Sequence, residues 1–182
     1  SALPNNVAEV VEPSLVARGI HVFSNASAFR RIAGIPLVIP EINPEDMESY
    51  DGHACATNCT VVPVVTPMIG MKSLGIKSVT IRTRQALSGA GWKLLFDAEA
   101  LSGNVNPFIP QEEEKLIAEL KYLLGIDVPV IASCNRVSER DGHFVSVGVE
   151  LSRETTVEEV EELMKIPTLG LPSSPKLVNE II

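Results

Sequence analysis

Cys59 lies in Asn58-Cys59-Thr60, where a polar turn leads into the apolar run that begins at Val61. A turn at Thr57-Asn58 with a helix from about Thr60 places its sulfur at a helix start, where unpaired N–H groups and the macrodipole favour an anion. Such a site lowers a thiol pKa and yields the nucleophilic thiolate. Beside two valines, the same residue also fits a small buried hydrophobe. His143 heads an alternating segment on the side of its valines, a place that equally suits a satisfied core or rim histidine. Glu112-Glu113-Glu114 crowd the first turn of a helix, which acid stabilises with no further role. The turn Ser88-Gly89-Ala90-Gly91 lets backbone approach a ligand or another segment, but it lacks the third glycine of a dinucleotide fingerprint. His53, Cys55 and Cys59 match no zinc spacing, so no metal is expected.

The chain that must position these groups has 182 residues, 45% of them apolar, enough for one core; a single domain over 1–182 is the expectation. A net charge of −8 with scattered Lys and Arg gives no nucleic-acid footprint. No apolar run approaches the ~20 residues that span a bilayer, and no signal pattern opens the chain, so no membrane partner is expected and a cytoplasmic location is. Three cysteines argue against a disulfide framework.

Val7, Val10, Val11, Leu15 and Val16 follow helical spacing over 6–18, broken or kinked at Pro13, and Ile20–Phe23 reads as a strand. Residues 35–40 read as an irregular extended segment. The run 61–70 predicts a buried helix that Pro67 kinks or shortens. Residues 76–85 alternate as a strand and 92–106 read as a loop with one helical turn. A helix from Pro110 buries Leu116, Ile117, Leu120, Leu123 and Leu124. Strands follow at 128–134 and 143–151, then a capping box at Thr156–Glu159 opens a last helix that Pro167 ends. Residues 168–176 read as an extended, proline-rich connection. The fold class is α+β: a mixed, largely antiparallel sheet with helices packed on one face.

Asn58-Cys59-Thr60, Gln85 through Gly91, Glu112-Glu113-Glu114-Lys115 and Cys134-Asn135-Arg136-Val137 with Gly142-His143 occur in the order and spacing of one family. The chain resembles the aspartate-semialdehyde dehydrogenases, above all their archaeal and fungal branch. Ser1-Ala2-Leu3-Pro4, residues 24–30, 40–43 and 171–176 extend the resemblance over nearly the whole length. It implies the catalytic and dimerisation domain of a larger enzyme, with 1–43 the tail of an NADP-binding Rossmann domain and with segments expected before Ser1 and after Ile182.

The resemblance makes Cys59 the nucleophile on an acyl phosphate, forming a thioester that NADPH reduces to the aldehyde. His143 is then the acid/base that takes the thiol proton and steadies the oxyanion, and Gln85 orients the acyl group. Arg136 and Glu112 grip the amino-acid end of the substrate, Arg30 and Lys115 the phosphate, and Asn58 assists. Ser88, Gly89 and Gly91 are this chain's expected contacts with NADP, which is held mainly by a domain outside it. His21, His53, Cys55 and Cys134 read as structural. Phe144-Val145 after His143 and Pro67 after the nucleophile depart from the family pattern. The reaction expected is reduction of L-aspartyl 4-phosphate to L-aspartate 4-semialdehyde with release of phosphate, in a homodimer or homotetramer. The alternatives are a malonyl- or succinyl-CoA reductase on the same scaffold and a non-catalytic dimerisation fragment.

Overall fold

A computed structural model describes residues 1–165. The chain opens with α1 (Asn5–Val16), which runs through Pro13. Its inward face is Ala8 and Glu12; Val10 is 73% exposed, so the valine stripe is not the buried side that its spacing predicts. Glu12, fully buried, accepts from the Ser24 hydroxyl at 2.8 Å and pairs with His53 at 3.0 Å. A buried carboxylate needs such partners, and here they tie the helix to the strands beside it.

Those strands are β1 (Val22–Ser24), β2 (Leu37–Val38) and β3 (His53–Ala56), in the order β1-β3-β2 and all parallel. β3 precedes the turn expected at Thr57-Asn58 and was not expected from the sequence. Alanine, cysteine and histidine form a buried strand because both neighbours pair with it, and the turn begins only at Thr57. Helix α2 (Val62–Met71) follows and continues through Pro67 for four more residues without breaking. It ends in one 3-10 turn, and β4 (Ile76–Gln85) begins. The expected loop then holds two four-residue helices, α3 (Trp92–Leu95) and α4 (Ala98–Leu101), the second capped by Asp97. Helix α5 (Glu112–Leu124), β5 (Val130–Arg136), β6 (Phe144–Leu151) and α6 (Val157–Leu163) complete the described chain. Thr156 caps α6 by accepting from the Glu159 amide, as its capping box requires. The connection expected at 168–176 lies outside the described residues.

The second sheet has the order β5-β4-β6, with β4 parallel to β5 and antiparallel to β6, so the fold is α+β with one mixed sheet. Period-two alternation sets its faces. Val79, Ile81, Cys134, Val145 and Val149 point inward and pack against Val64, Val65 and Met68 of α2 and Leu116, Leu120 and Leu124 of α5. Each fully buried leucine contributes roughly 1.5–3 kcal/mol of burial. Helix α6 leans on α2 so closely that a Cβ at Gly70 would lie 1.9 Å from the Leu163 carbonyl oxygen. The opposite face carries Arg82, Arg84, Ile131 and Phe144, the last two 67% and 62% exposed.

Candidate active site

Strand register gathers three of the expected site residues at one end of the mixed sheet. Gln85 and Arg136 face each other as the last paired residues of β4 and β5, and β6 begins opposite Arg84. His143, one residue before β6, therefore reaches the same end. The turn between β3 and α2 brings Cys59 to meet it: Cys59 Sγ lies 3.2 Å from His143 Nε2, across 84 positions of sequence.

The turn is built by Asn58. Its Oδ1 accepts from the Thr60 amide and hydroxyl, each at 3.1 Å, and from the Cys59 thiol at 3.4 Å. This is the local side-chain-to-backbone pattern that lets Asn set a turn. Its Nδ2 donates to Glu112 Oε1 at 2.9 Å, and Gln85 Nε2 donates to the same oxygen at 2.9 Å. The chain enters α5 through Gln111 in the left-handed region (φ 58°), a conformation that costs a non-glycine roughly 1–2 kcal/mol. Glu112 follows as the first helical residue and is buried in the cluster, whereas Glu113 accepts from the Cys134 amide at 2.8 Å. Of the two glutamates, Glu112 is the one in the site.

The peptide of Ala86 holds two side chains at once. Its N–H donates to His143 Nδ1 at 3.1 Å and its carbonyl accepts from Arg136 Nη1 at 2.6 Å. An amide N–H can only donate, so His143 Nδ1 carries no proton, and the neutral imidazole bears its proton on Nε2, facing the sulfur. Gly89 closes over this pair: a Cβ there would stand 2.8 Å from His143 Cε1 and 3.0 Å from Arg136 Nη1.

An open cleft of about 660 Å³ is lined by Arg30, Asn58, Cys59, Gln85, Gly89, Glu112, Lys115 and Arg136. Arg30 enters it from the N-terminal part of the chain, held by Glu119 Oε1 at 3.1 Å and the Asn25 carbonyl at 2.7 Å. Ser88 and Gly91 are not in that lining; Ser88 Oγ donates to Asp141 at 2.6 Å and Gly91 sits in an exposed turn.

Charge in the cleft works against a resting ion pair. Cys59 is exposed to the cleft, but partial desolvation of the sulfur by the cleft wall, and next the Glu112 carboxylate, push its thiol above its ordinary value; its own backbone amide, Arg30 and Arg136 pull the other way. The expected lowering by a helix start is thus corrected, because Thr60 and Val61 intervene before α2 and desolvation dominates. Burial and then Arg136 hold His143 below the usual imidazole range, opposed by Glu112 and Asp141. Both shifts favour the neutral thiol and imidazole over a thiolate–imidazolium pair. The other two thiols are buried and pushed up to about 11, chiefly by desolvation.

His53 is engaged with Glu12 and His21 Nδ1 is 2.8 Å from the Tyr50 hydroxyl, both away from the cleft. Among the described residues no three His, Cys, Asp or Glu side chains converge as metal ligands, and no helix is long and apolar enough to cross a membrane. Sequence reasoning missed Ala86, whose part is played by backbone and leaves no residue signature, and Glu119. The second had a signal: Glu112, Lys115 and Glu119 recur at i, i+3 and i+7 on one face of α5.

Residues 65–178 match the family model for the dimerisation domain of semialdehyde dehydrogenases, and residues 1–50 match the model for their NAD-binding domain. The chain belongs to the semialdehyde dehydrogenase family. Within it, the curated relatives are aspartate-semialdehyde dehydrogenases: that of Archaeoglobus fulgidus is 39% identical over 98% of the chain, and that of Methanothermobacter thermautotrophicus 38% over 97%. The chain spans 57% of the length of each. The solved Candida albicans aspartate semialdehyde dehydrogenase with NADP superposes with a TM-score of 0.73 at 29% identity, covering 88% of this chain and 53% of that one.

Proposed function

We propose that this chain is the catalytic part of an enzyme that reduces L-aspartyl 4-phosphate to L-aspartate 4-semialdehyde through a thioester on Cys59. The observation that carries it is the Cys59–His143 contact at 3.2 Å, with the cysteine lining a cleft whose walls bring Arg136, Glu112, Arg30 and Lys115. The thiolate sulfur attacks the acyl carbon, the bond to the phosphate oxygen breaks, and inorganic phosphate leaves beside Arg30 and Lys115. His143 donates from Nε2 to the sulfur anion and then to the carbonyl oxyanion. While Nδ1 accepts from Ala86, the ring has no free site at Nε2 for the thiol proton, which goes to solvent instead. Glu112 spends Oε1 on the Asn58 and Gln85 amides, so Oε2 is the oxygen for a substrate ammonium, and Arg136 faces the carboxylate.

When bound, NADPH would supply a hydride to the thioester carbon, and the aldehyde would be released as the C–S bond breaks and Cys59 leaves as the thiolate. The parallel strands β1–β3 end beside an apolar pocket of about 490 Å³ edged by Ser1, Ser24 and Asn25, which fits part of a dinucleotide at the carboxyl edge of such a sheet. Together with the match of residues 1–50, this supports reading 1–43 as the end of the nucleotide-binding half and the rest as the catalytic and dimerisation domain. Gly89, in the cleft lining, is the turn residue placed nearest the reacting groups; Ser88 and Gly91 would meet the cofactor only beyond that lining. The exposed Ile131 and Phe144 on the outer sheet face support a homodimer through that face. Three free thiols suit a cytoplasmic enzyme.

Two measurements test this reading. The full-length enzyme is expected to oxidise NADPH with aspartyl phosphate and not with malonyl-CoA; turnover of the CoA ester alone would replace it with the CoA-reductase alternative. Iodoacetamide is expected to modify Cys59 before Cys55 and Cys134. Because the thiol is raised and no imidazolium pairs with it, the rate should climb about tenfold per pH unit through neutrality. A plateau from pH 6 upward would instead reveal a thiolate–imidazolium pair and return the base role to His143.

A further inference from the structure

We propose that Glu119 is a positioning residue that fixes the nucleophile turn and the Arg30 guanidinium as one unit. The inference rests on the reading of Cys59 as nucleophile. Glu119 is 2% exposed in the middle of α5, flanked by the core leucines Leu116, Leu120 and Leu123. Taking a carboxylate out of water costs several kcal/mol unless its lone pairs are filled, and an apolar residue of similar size often serves a core as well. The sequence nevertheless holds a carboxylate here, and all its partners belong to the site. Oε2 accepts from the Thr57 hydroxyl at 2.5 Å and the Asn58 amide at 2.7 Å, the two residues immediately before Cys59. Oε1 accepts from Arg30 Nη1 at 3.1 Å. All three are charge-assisted, a class roughly twice as strong as neutral hydrogen bonds, and the two on Oε2 are also short.

The geometry leaves the turn little else to hold it at that point. Asn58 fixes the residues after it through Oδ1, and Glu119 fixes the backbone entering it. Arg30 is likewise tethered at both terminal nitrogens, by Glu119 and the Asn25 carbonyl, while its buried Nε has no partner among the described residues. One carboxylate thus sets the distance between the sulfur and the cation expected to receive the leaving anion. Loosening it lets the turn drift, and a shift of about 1 Å is enough to cost up to a hundredfold in a reaction that depends on placement.

The test uses the full-length enzyme, iodoacetamide and mass-spectrometric readout of each cysteine over pH 6–10, with circular dichroism confirming fold. In Glu119→Gln the amide replaces one acceptor oxygen by a donor facing donors. Losing the carboxylate charge by itself draws a nearby thiol down, but release of the turn takes the sulfur from its own amide and from Arg30, both of which hold the thiol down, and this is expected to outweigh it: Cys59 modification at pH 7.5 falls about tenfold and the midpoint of its pH–rate curve moves up by about one unit, while Cys134 is unchanged. Thr57→Val, which removes one contact and leaves the Arg30 pair intact, is expected to give about a third of the shift on a logarithmic scale. It also keeps the question answerable if Glu119→Gln does not fold. A folded Glu119→Gln or Thr57→Val chain whose Cys59 keeps the wild-type rate and midpoint would overturn the proposal and leave Glu119 a packing residue. Wild-type Cys59 reacting no faster than Cys134 would instead overturn the nucleophile reading itself, with Glu119 falling alongside it.

Discussion

Cys59→Ser in the full-length enzyme is expected to lower kcat by roughly four to six orders of magnitude, the scale seen when a covalent nucleophile is lost. A serine hydroxyl rescues function elsewhere when a neighbouring imidazole takes its proton. His143 is not disposed to do so, because the Ala86 amide occupies Nδ1 and leaves the Nε2 proton pointing at the position of the sulfur. The serine variant would have a far weaker acid as nucleophile and no base within reach. Substrate binding should survive, since Arg136 and Glu112 are held by Ala86, Asn58 and Gln85 rather than by the thiol. Single-turnover NADPH oxidation with aspartyl phosphate measures the effect; a serine enzyme within tenfold of the wild type would mean that the reaction does not pass through the sulfur.

Gly89→Ala is the second large effect, expected at about a hundredfold in kcat/KM with little change in thermal stability. The added methyl would stand 2.8 Å from His143 Cε1, closer than real Cβ contacts allow, and 3.0 Å from Arg136 Nη1, tighter than almost all of them. Ordinarily a side-chain tip would swing away. Here both tips are pinned to the Ala86 peptide, one to its N–H and one to its carbonyl, so yielding breaks a hydrogen bond that positions the proton donor or the carboxylate anchor. The position itself is exposed, which is why stability should hold while chemistry suffers. Steady-state kinetics beside a melting curve separates the two, and a loss under threefold would show that the pair relaxes harmlessly.

What could be read from the residues alone follows the strength of the local signal. β4 was legible to the residue because Val79, Ile81 and Thr83 alternate with Thr80, Arg82 and Arg84, and α5 because its leucines recur at helical spacing. β3 was hidden: a strand of alanine, cysteine and histidine has no alternation, and it forms because β1 and β2 pair with it on both sides. The inward face of α1 was not legible for a related reason, since its buried positions include a glutamate satisfied by Ser24 and His53, partners farther along the chain. In the site, Cys59, His143, Gln85, Arg136 and Glu112 were named from motif order, and the structure brings all five together. The direction of the thiol shift was not legible. It depends on how much wall surrounds the sulfur and on Glu112, 53 residues away in sequence, neither of which local spacing encodes.

The separation of 84 positions between sulfur and imidazole carries a consequence for a chain leaving the ribosome. Cys59 emerges long before β6, and during that interval it is an ordinary thiol with no proton donor beside it. Closing so long a loop costs more entropy than any local contact, so the pair forms only when the mixed sheet is assembled. The proton donor and the substrate-gripping side chains therefore reach the sulfur only once the sheet has closed, so turnover is withheld from nascent and half-folded molecules even though their thiol is free.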